Sequence, residues 1–322
     1  MFPTLARTGA LIASLLPLFA AADFAPSNDG QIYFERHGSA HGAPVVLIPG
    51  GPGGNHTFFQ PWFERLHSQH ELVYFDAIDR GRSDRLPASK LHSVPRDATD
   101  IEALRLALHA EKLVLLGNSY GSLPAIEYSL QHPERVACLI ISSGMHSDAS
   151  FADHVVALNR AIAEQYPAHW DKLEAMYAQG VKSGSEAYQN LYGEVADNVY
   201  WFDPRNAAKR YRSPDPRDAF RGAVYAAFMG DDSERVVNGA LKGYDLRPRM
   251  AALQLPVLVI TGRRDIVASP RIAAETVAAL SKARVSQTIV ERAGHRAFIE
   301  NPDEYFAAVQ RFLLQTPDCR QQ

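Results

Sequence analysis

The 322-residue chain is short of several things, and each shortage closes a class of function. It has no block of basic residues: Lys and Arg number 33 against 36 Asp and Glu, a formal net charge of -3. It therefore carries no electrostatic footprint for nucleic acid and no polybasic patch for a membrane surface. It has no phosphate loop, no His-Glu-x-x-His and no Cys-x-x-Cys, so metal and nucleotide cofactors have no signature in it. Tandem periods, low-complexity tracts and heptads are missing too, which excludes solenoids and coiled coils. What remains is an ordinary globular composition, 46% hydrophobic and 21% charged. Such a chain can bury a full core as one large domain, with or without an insertion, and its partner should be a small molecule or a peptide.

Long apolar runs are also lacking. The best, Gly9 to Ala22, is interrupted by Pro17 and falls short of the roughly 20 residues that span a bilayer. With Arg7 before it and Ala20-Ala21-Ala22 at its end, it reads as an export signal covering residues 1–22, cleaved before Asp23. Stable membrane insertion is not expected, and the mature protein should be periplasmic or secreted. Cysteine is nearly absent: Cys138 lies in an apolar run and Cys319 in a polar tail. That contrast argues against a disulfide between them and makes Cys138 a small core residue.

Short runs rich in β-branched and aromatic residues predict strands at Gln31 to Glu35, Val45 to Ile48, Leu72 to Phe75, Leu113 to Leu116, Cys138 to Ser142, Val257 to Ile260 and Val285 to Val290. Helical spacing is expected over Phe58 to Leu66, Asp100 to His109, Leu123 to Leu130, Arg271 to Leu280 and Pro302 to Leu314. Strands alternating with helices imply a mainly parallel sheet flanked by helices. Between Ser142 and Val257 no strand run occurs. Its helical segments, Phe151 to Glu164, Trp170 to Gln179, Ser185 to Tyr192 and Asp218 to Phe228, predict a lid over residues 145–252, inserted between core parts 23–144 and 253–322.

Chemistry concentrates at Gly117-Asn118-Ser119-Tyr120-Gly121. Gly and Ser at about 7% each make a lone Gly-x-Ser-x-Gly string roughly a one-in-ten accident in a chain this long. Here a strand precedes it and a helix follows, the setting of a nucleophile elbow. A serine hydroxyl needs a base within reach and a carboxylate to orient that base. Asp265 follows the strand Val257 to Ile260 and His295 follows Val285 to Val290, so both emerge at carboxyl ends of parallel strands, where sites in open α/β sheets form. A helix cap or surface acid is the plainer reading of Asp265. Among the other histidines, His109, His132 and His154 read as surface or capping residues. The loop Pro49-Gly50-Gly51-Pro52-Gly53-Gly54 after Val45 to Ile48 could offer the Gly51 N–H to an oxyanion, with the Tyr120 N–H as second donor. A bland turn competes with that reading. Asn55-His56-Thr57 matches a glycosylation sequon, taken as coincidence. The order Ser, Asp, His is that of the α/β-hydrolase fold.

Together these motifs resemble the proline iminopeptidase family of α/β-hydrolases, in which a His-Gly-Gly-Pro-Gly oxyanion loop precedes a Gly-Gly-Ser-Trp-Gly elbow. The resemblance covers most of the mature chain. It extends to Asp76 through Gly81-Arg82-Ser83-Asp84, and to Gly294-His295 followed by Phe298 and Pro302. Glu234 through Gly239-Ala240-Leu241-Lys242, then Asp245, resembles the segment where related aminopeptidases place a glutamate that binds the substrate's free amino terminus. The plainer reading makes Glu234 a solvated residue beside Asp231, Asp232 and Arg235. Pro49, Asn118, Tyr120 and Ala77-Ile78-Asp79 depart from the family pattern and bear on the preference for proline, while leaving the triad and the backbone donors intact.

The resemblance implies a serine aminopeptidase that removes an N-terminal residue, plausibly proline, from short peptides through an acyl-enzyme. An esterase or lactone hydrolase could use the same triad. A receptor that has kept the hydrolase fold is the remaining alternative, against which the intact triad and glycine loop argue.

Overall fold

A computed structural model describes residues 21–38, 42–87 and 89–320. Residues 1–20 of the expected export signal lie outside the described residues, while Ala21 and Ala22 open the first strand. Eight strands form one sheet: β1 (Ala21–Ser27), β2 (Gly30–Gly38), β3 (Val45–Ile48), β4 (Glu71–Phe75), β5 (Leu113–Asn118), β6 (Val136–Ser142), β7 (Pro256–Gly262) and β8 (Arg284–Val290). Their spatial order is β1-β2-β4-β3-β5-β6-β7-β8. β1 and β2 pair antiparallel, as do β2 and β4, and every later pairing is parallel.

The strand sequences explain this order. β3, β5, β6 and β7 are buried along their whole lengths, as parallel strands covered on both faces must be. β8, with Arg284, Ser286 and Gln287 exposed or half-exposed, is fit only for an edge. Alternation along each strand then sorts the side chains into two layers. Val46, Ile48, Val73, Leu115, Leu139 and Val257 face α1 (Val94–Ala107), α2 (Ser122–Gln131) and the helix Pro270–Ala279. Val45, Leu47, Tyr74, Leu116, Cys138 and Ile260 face Phe59, Phe63 and the C-terminal helix Pro302–Gln315. Phe63 meets Phe298 and Phe306 edge-on, with ring centroids 5.5 and 5.1 Å apart. Each such pair adds about 0.5–1.5 kcal/mol beyond its buried area.

Between β6 and β7 the chain makes α3 (Asp148–Gln165), α4 (Pro167–Ala178), α5 (Glu186–Val199) and α6 (Gly222–Met229). α3, α4 and α5 close on a small core of their own built from Leu158, Ile162, Leu173, Tyr188, Tyr192 and Val195. Ser147 caps α3 by accepting from Ser150 N–H, while the Ser150 hydroxyl accepts from Ser147 N–H, a reciprocal capping box.

Two expectations need correction. Phe58 to Leu66 is not one helix but two 3-10 turns, His56–Phe59 and Trp62–Leu66. Pro61 between them has no N–H to continue a helical ladder. Cys138 and Cys319 do form a disulfide, with Cα atoms 5.3 Å apart. The polarity of the tail misled: after Gln315 a 3-10 turn over Pro317–Arg320 folds back under the sheet and buries Cys319 to 3% exposure. Cys138, pointing to that same layer, meets it there.

Candidate active site

β3 and β5 lie side by side, yet the chain leaves β3 toward β4 on one flank and returns to place β5 on the other. A crevice opens at such a reversal, above the carboxyl ends of the two strands. The glycine loop follows β3 and Ser119 follows β5, so both border it. Ser119 has φ +54°, a left-handed conformation that costs a non-glycine residue of order 1–3 kcal/mol and persists only where the surroundings enforce it. The surroundings do. A Cβ on Gly121 would stand 2.2 Å from the Ile48 carbonyl oxygen, and one on Gly117 would stand 2.4 Å from the Gly121 carbonyl. Only glycine lets strand, turn and helix approach this closely.

His295 is buried, with Nδ1 3.0 and 3.1 Å from the two Asp265 carboxylate oxygens. Asp265 Oδ1 also accepts the N–H groups of Val267 and Ala268, each at 2.9 Å. Burial pushes the Asp265 carboxyl up, but His295, the Ser143 hydroxyl and the Val267 amide outweigh it and hold the carboxyl below its usual range. Asp265 is thus a fixed anion, not the helix cap or surface acid of the plainer reading. The His295 N–H donates to the Tyr200 carbonyl at 2.9 Å. The loop before it is pinned by Glu300, which accepts from Gly294 N–H at 2.6 Å and from Phe202 N–H at 3.1 Å. Glu300 was not legible as a positioning residue, because its role depends on two loops distant in the chain.

Ser119, Tyr120, His295, Gly50 and Gly51 line one cavity of about 300 Å³. Its remaining wall comes largely from the helical region, through Phe151, His154, Asp197, Tyr200, Phe220, Tyr225 and Met229. Gly51 has φ +51°, and the Phe220 ring packs over it. The Tyr120 side chain turns inward and donates to Asp97 Oδ2 at 2.8 Å. Asp97 is paired with the fully buried Arg80 at 2.6 Å, whose Nε donates to the Pro52 carbonyl at 2.7 Å. One buried ion pair thereby ties the elbow to the glycine loop.

Several placements depart from expectation. His154 is no surface residue: it lines the cavity, and burial together with the neighbouring His295 pulls its pKa down to about 3, so it is neutral. Glu234 is not solvated either; it is 3% exposed. Its Oε1 accepts from Gln189 Nε2, the Ser233 hydroxyl and the Tyr225 hydroxyl at 3.0 to 3.1 Å. Burial pushes its carboxyl above the usual range. It does not itself line the cavity; Tyr225 stands between. Asn55 is 5% exposed and its amide donates to the Asp218 carbonyl, so the sequon asparagine is committed to structure.

The helical region is fastened to the core beside the glycine loop. Arg221 N–H donates to the Gly53 carbonyl at 2.9 Å, and Arg82 holds Asp218 with two bonds of 2.9 Å. Next to them His56, 2% exposed, places Nδ1 2.9 Å from Asp76 and Nε2 3.7 Å from Glu35 and 4.0 Å from Asp218. Burial lowers its pKa, but the three carboxylates outweigh that and raise it above 6.5. Because the folded value is the higher one, this stabilisation is complete below about 6.5 and is lost as pH rises through the folded value. The thermal midpoint should therefore decline as pH is raised from 6.5, and His56→Gln should flatten that decline in a calorimetric pH series.

Comparison with known proteins agrees with this architecture. The family model described as alpha/beta hydrolase fold matches residues 43–302. The chain is 26% identical over 280 residues to the proline iminopeptidase of Saccharolobus solfataricus, covering 84% of each chain. It is 29% identical over 287 residues to that of Neisseria meningitidis, covering 83% of this chain and 87% of the relative. The crystal structure of the Mycobacterium smegmatis proline iminopeptidase superposes with a TM-score of 0.73 at 22% identity, over 92% of this chain and 98% of the other. The sheet order, the strained serine between β5 and α2 and the family match lead to one conclusion: the chain belongs to the α/β-hydrolase fold family and is a hydrolase.

Proposed function

We propose that the protein is a serine aminopeptidase that releases an N-terminal residue, with proline among those accepted, from short peptides. The observation that carries this reading is a pair of features on one cavity. Ser119 shares it with a His295–Asp265 couple, and Tyr225 on its wall connects it to a buried carboxylate, Glu234, that has no cation partner among the described residues. A substrate ammonium on that side would donate to the Tyr225 hydroxyl, which itself donates to Glu234. In this scheme Ser119 Oγ attacks the scissile carbonyl and its proton passes to His295, whose other nitrogen is held by Asp265. The N–H groups of Gly51 and Tyr120 stabilise the oxyanion. Collapse expels the amine with a proton from His295, and water then releases the acyl group by the same route in reverse roles. The likeness to the proline iminopeptidases supports the amide substrate.

The same proposal places the protein outside the cytosol. The Cys138–Cys319 bridge supports export, since structural disulfides form and persist in oxidising compartments.

The test is a panel of aminoacyl chromogenic amides, each paired with its N-acetylated form, alongside short acyl esters. Free-amine substrates should be cleaved and their blocked partners left intact. Turnover of esters with no turnover of any amide would move the assignment to an esterase or lactone hydrolase.

A further inference from the structure

Arg296 directly follows His295 and lines the cavity beside it. It also lines the neighbouring groove, to which Gly54, Phe58 and Phe220 belong as well, so it stands where one opens into the other. Its guanidinium lies 4.9 Å from the centre of the Phe58 ring and 5.5 Å from that of Trp201, which hold the planar fork in place. The Nε of this fork is buried with no acceptor, and no carboxylate pairs with the head among the described residues. Asp197, the acid on the same wall, is already taken by Arg210 at 3.0 Å. The contrast with Arg80 is direct: fully buried, Arg80 has both oxygens of Asp97, whereas the half-buried Arg296 has no carboxylate among the described residues. Burial draws Arg296 down to about 10, so it remains a cation at neutral pH.

A half-buried guanidinium whose Nε has no acceptor leaves a donor unsatisfied, and its fork matches a carboxylate in two parallel bonds. Position decides which part of the substrate brings that carboxylate. His295 delivers its proton to the leaving group, and Arg296 is the next residue, at the mouth of the groove that Arg212 also lines. Tyr225, with Glu234 behind it, borders the cavity but not the groove. The amine side and the groove side are therefore served by different residues.

We propose that Arg296 binds a carboxylate on the leaving portion of the substrate, so that the preferred substrates are di- and tripeptides whose chain end lies just past the scissile bond. This rests on the aminopeptidase reading for the scissile amide, not for the anion site. Pro-Gly and Pro-Gly-Gly are compared as free acids and as C-terminal amides, with Pro-Glu amide beside them, using the wild type, Arg296→Gln and Arg296→Lys. The wild type should favour free acid over amide by roughly tenfold or more in kcat/KM, expressed mainly in KM, as expected of a charge-assisted contact. Arg296→Gln should bring that ratio near one, and Arg296→Lys should restore part of it. Pro-Glu amide cleaved as well as the free acids would assign the contact to a side-chain carboxylate; cleaved as poorly as Pro-Gly amide, to the chain end. Should no peptide be cleaved, the ratio is read on butyryl esters of glycolate and glycolamide, which tests the anion site without the amide. No preference for the acid in the wild type, or a preference that survives Arg296→Gln, overturns the proposal.

Discussion

Ser119→Ala should lower kcat/KM by roughly 10⁵-fold or more, the scale seen when the serine of a complete triad is removed, with the thermal midpoint nearly unchanged. The loss is this large because in the proposed scheme Ser119, His295 and Asp265 act as a unit: without the hydroxyl, the base has no nucleophile to activate. The oxyanion donors and the cavity would still orient substrate against water, so a residual rate remains. The fold should tolerate the change, because what enforces the +54° φ at Ser119 is the close approach of backbone at Gly117 and Gly121, not the hydroxyl. Alanine fits that turn as well as serine does, both having one Cβ. Hydrolysis of a chromogenic prolyl amide, or of whichever ester proves active, measures the rate, and calorimetry measures the fold. Activity within tenfold of wild type would remove Ser119 as nucleophile and with it the whole assignment.

Replacing Cys138 and Cys319 by serine should cost about 2–5 kcal/mol of stability, toward the upper end for a long loop. The bridge spans a sequence separation of 181, so it removes many extended conformations from the unfolded chain. Its folded-state surroundings add to the effect. Cys138 is fully buried on β6, and the serine left there would place a hydroxyl in an apolar layer between the sheet and the C-terminal helix. Urea denaturation of the double variant, and of wild type with and without dithiothreitol, reads the difference. Equal midpoints in all three would show that the bridge contributes nothing. Activity at temperatures well below the transition should survive, since neither cysteine lines the cavity.

Much of this fold was legible because its core strands are buried on both faces and read as unbroken apolar runs. Val45 to Ile48 was placed to the residue. β1 escaped notice for the opposite reason: at a sheet edge, AADFAPS carries no apolar alternation, and its pairing with β2 is set by a turn. Helix starts were blurred where polar first turns hide the period. The sequence pattern began the first long helix at Asp100, six residues after its actual start at Val94, since the intervening residues serve a cap and an ion pair. Ser119, Asp265 and His295, the residues of the proposed triad, stand out in the sequence because each follows a strand. Arg80, Asp97, Glu300, His154 and Arg296 do not, because their meaning lies in partners gained or missing across the fold. Two arginines look alike in a sequence; only the structure shows that Asp97 meets Arg80, while among the described residues no carboxylate meets Arg296.

The ring closed between Cys138 and Cys319 holds the whole helical region, Asp265 and His295, while Ser119 lies outside it. A protease that cuts an exposed turn of the helical region, such as the one at Gly180, would therefore release no fragment. The severed ends would stay joined through the bridge, each packed on its own strand of the sheet, and the nicked molecule would run as one band until reduced. For an enzyme proposed to work among peptidases outside the cell, survival of a backbone cut is a property that thermal stability alone does not provide.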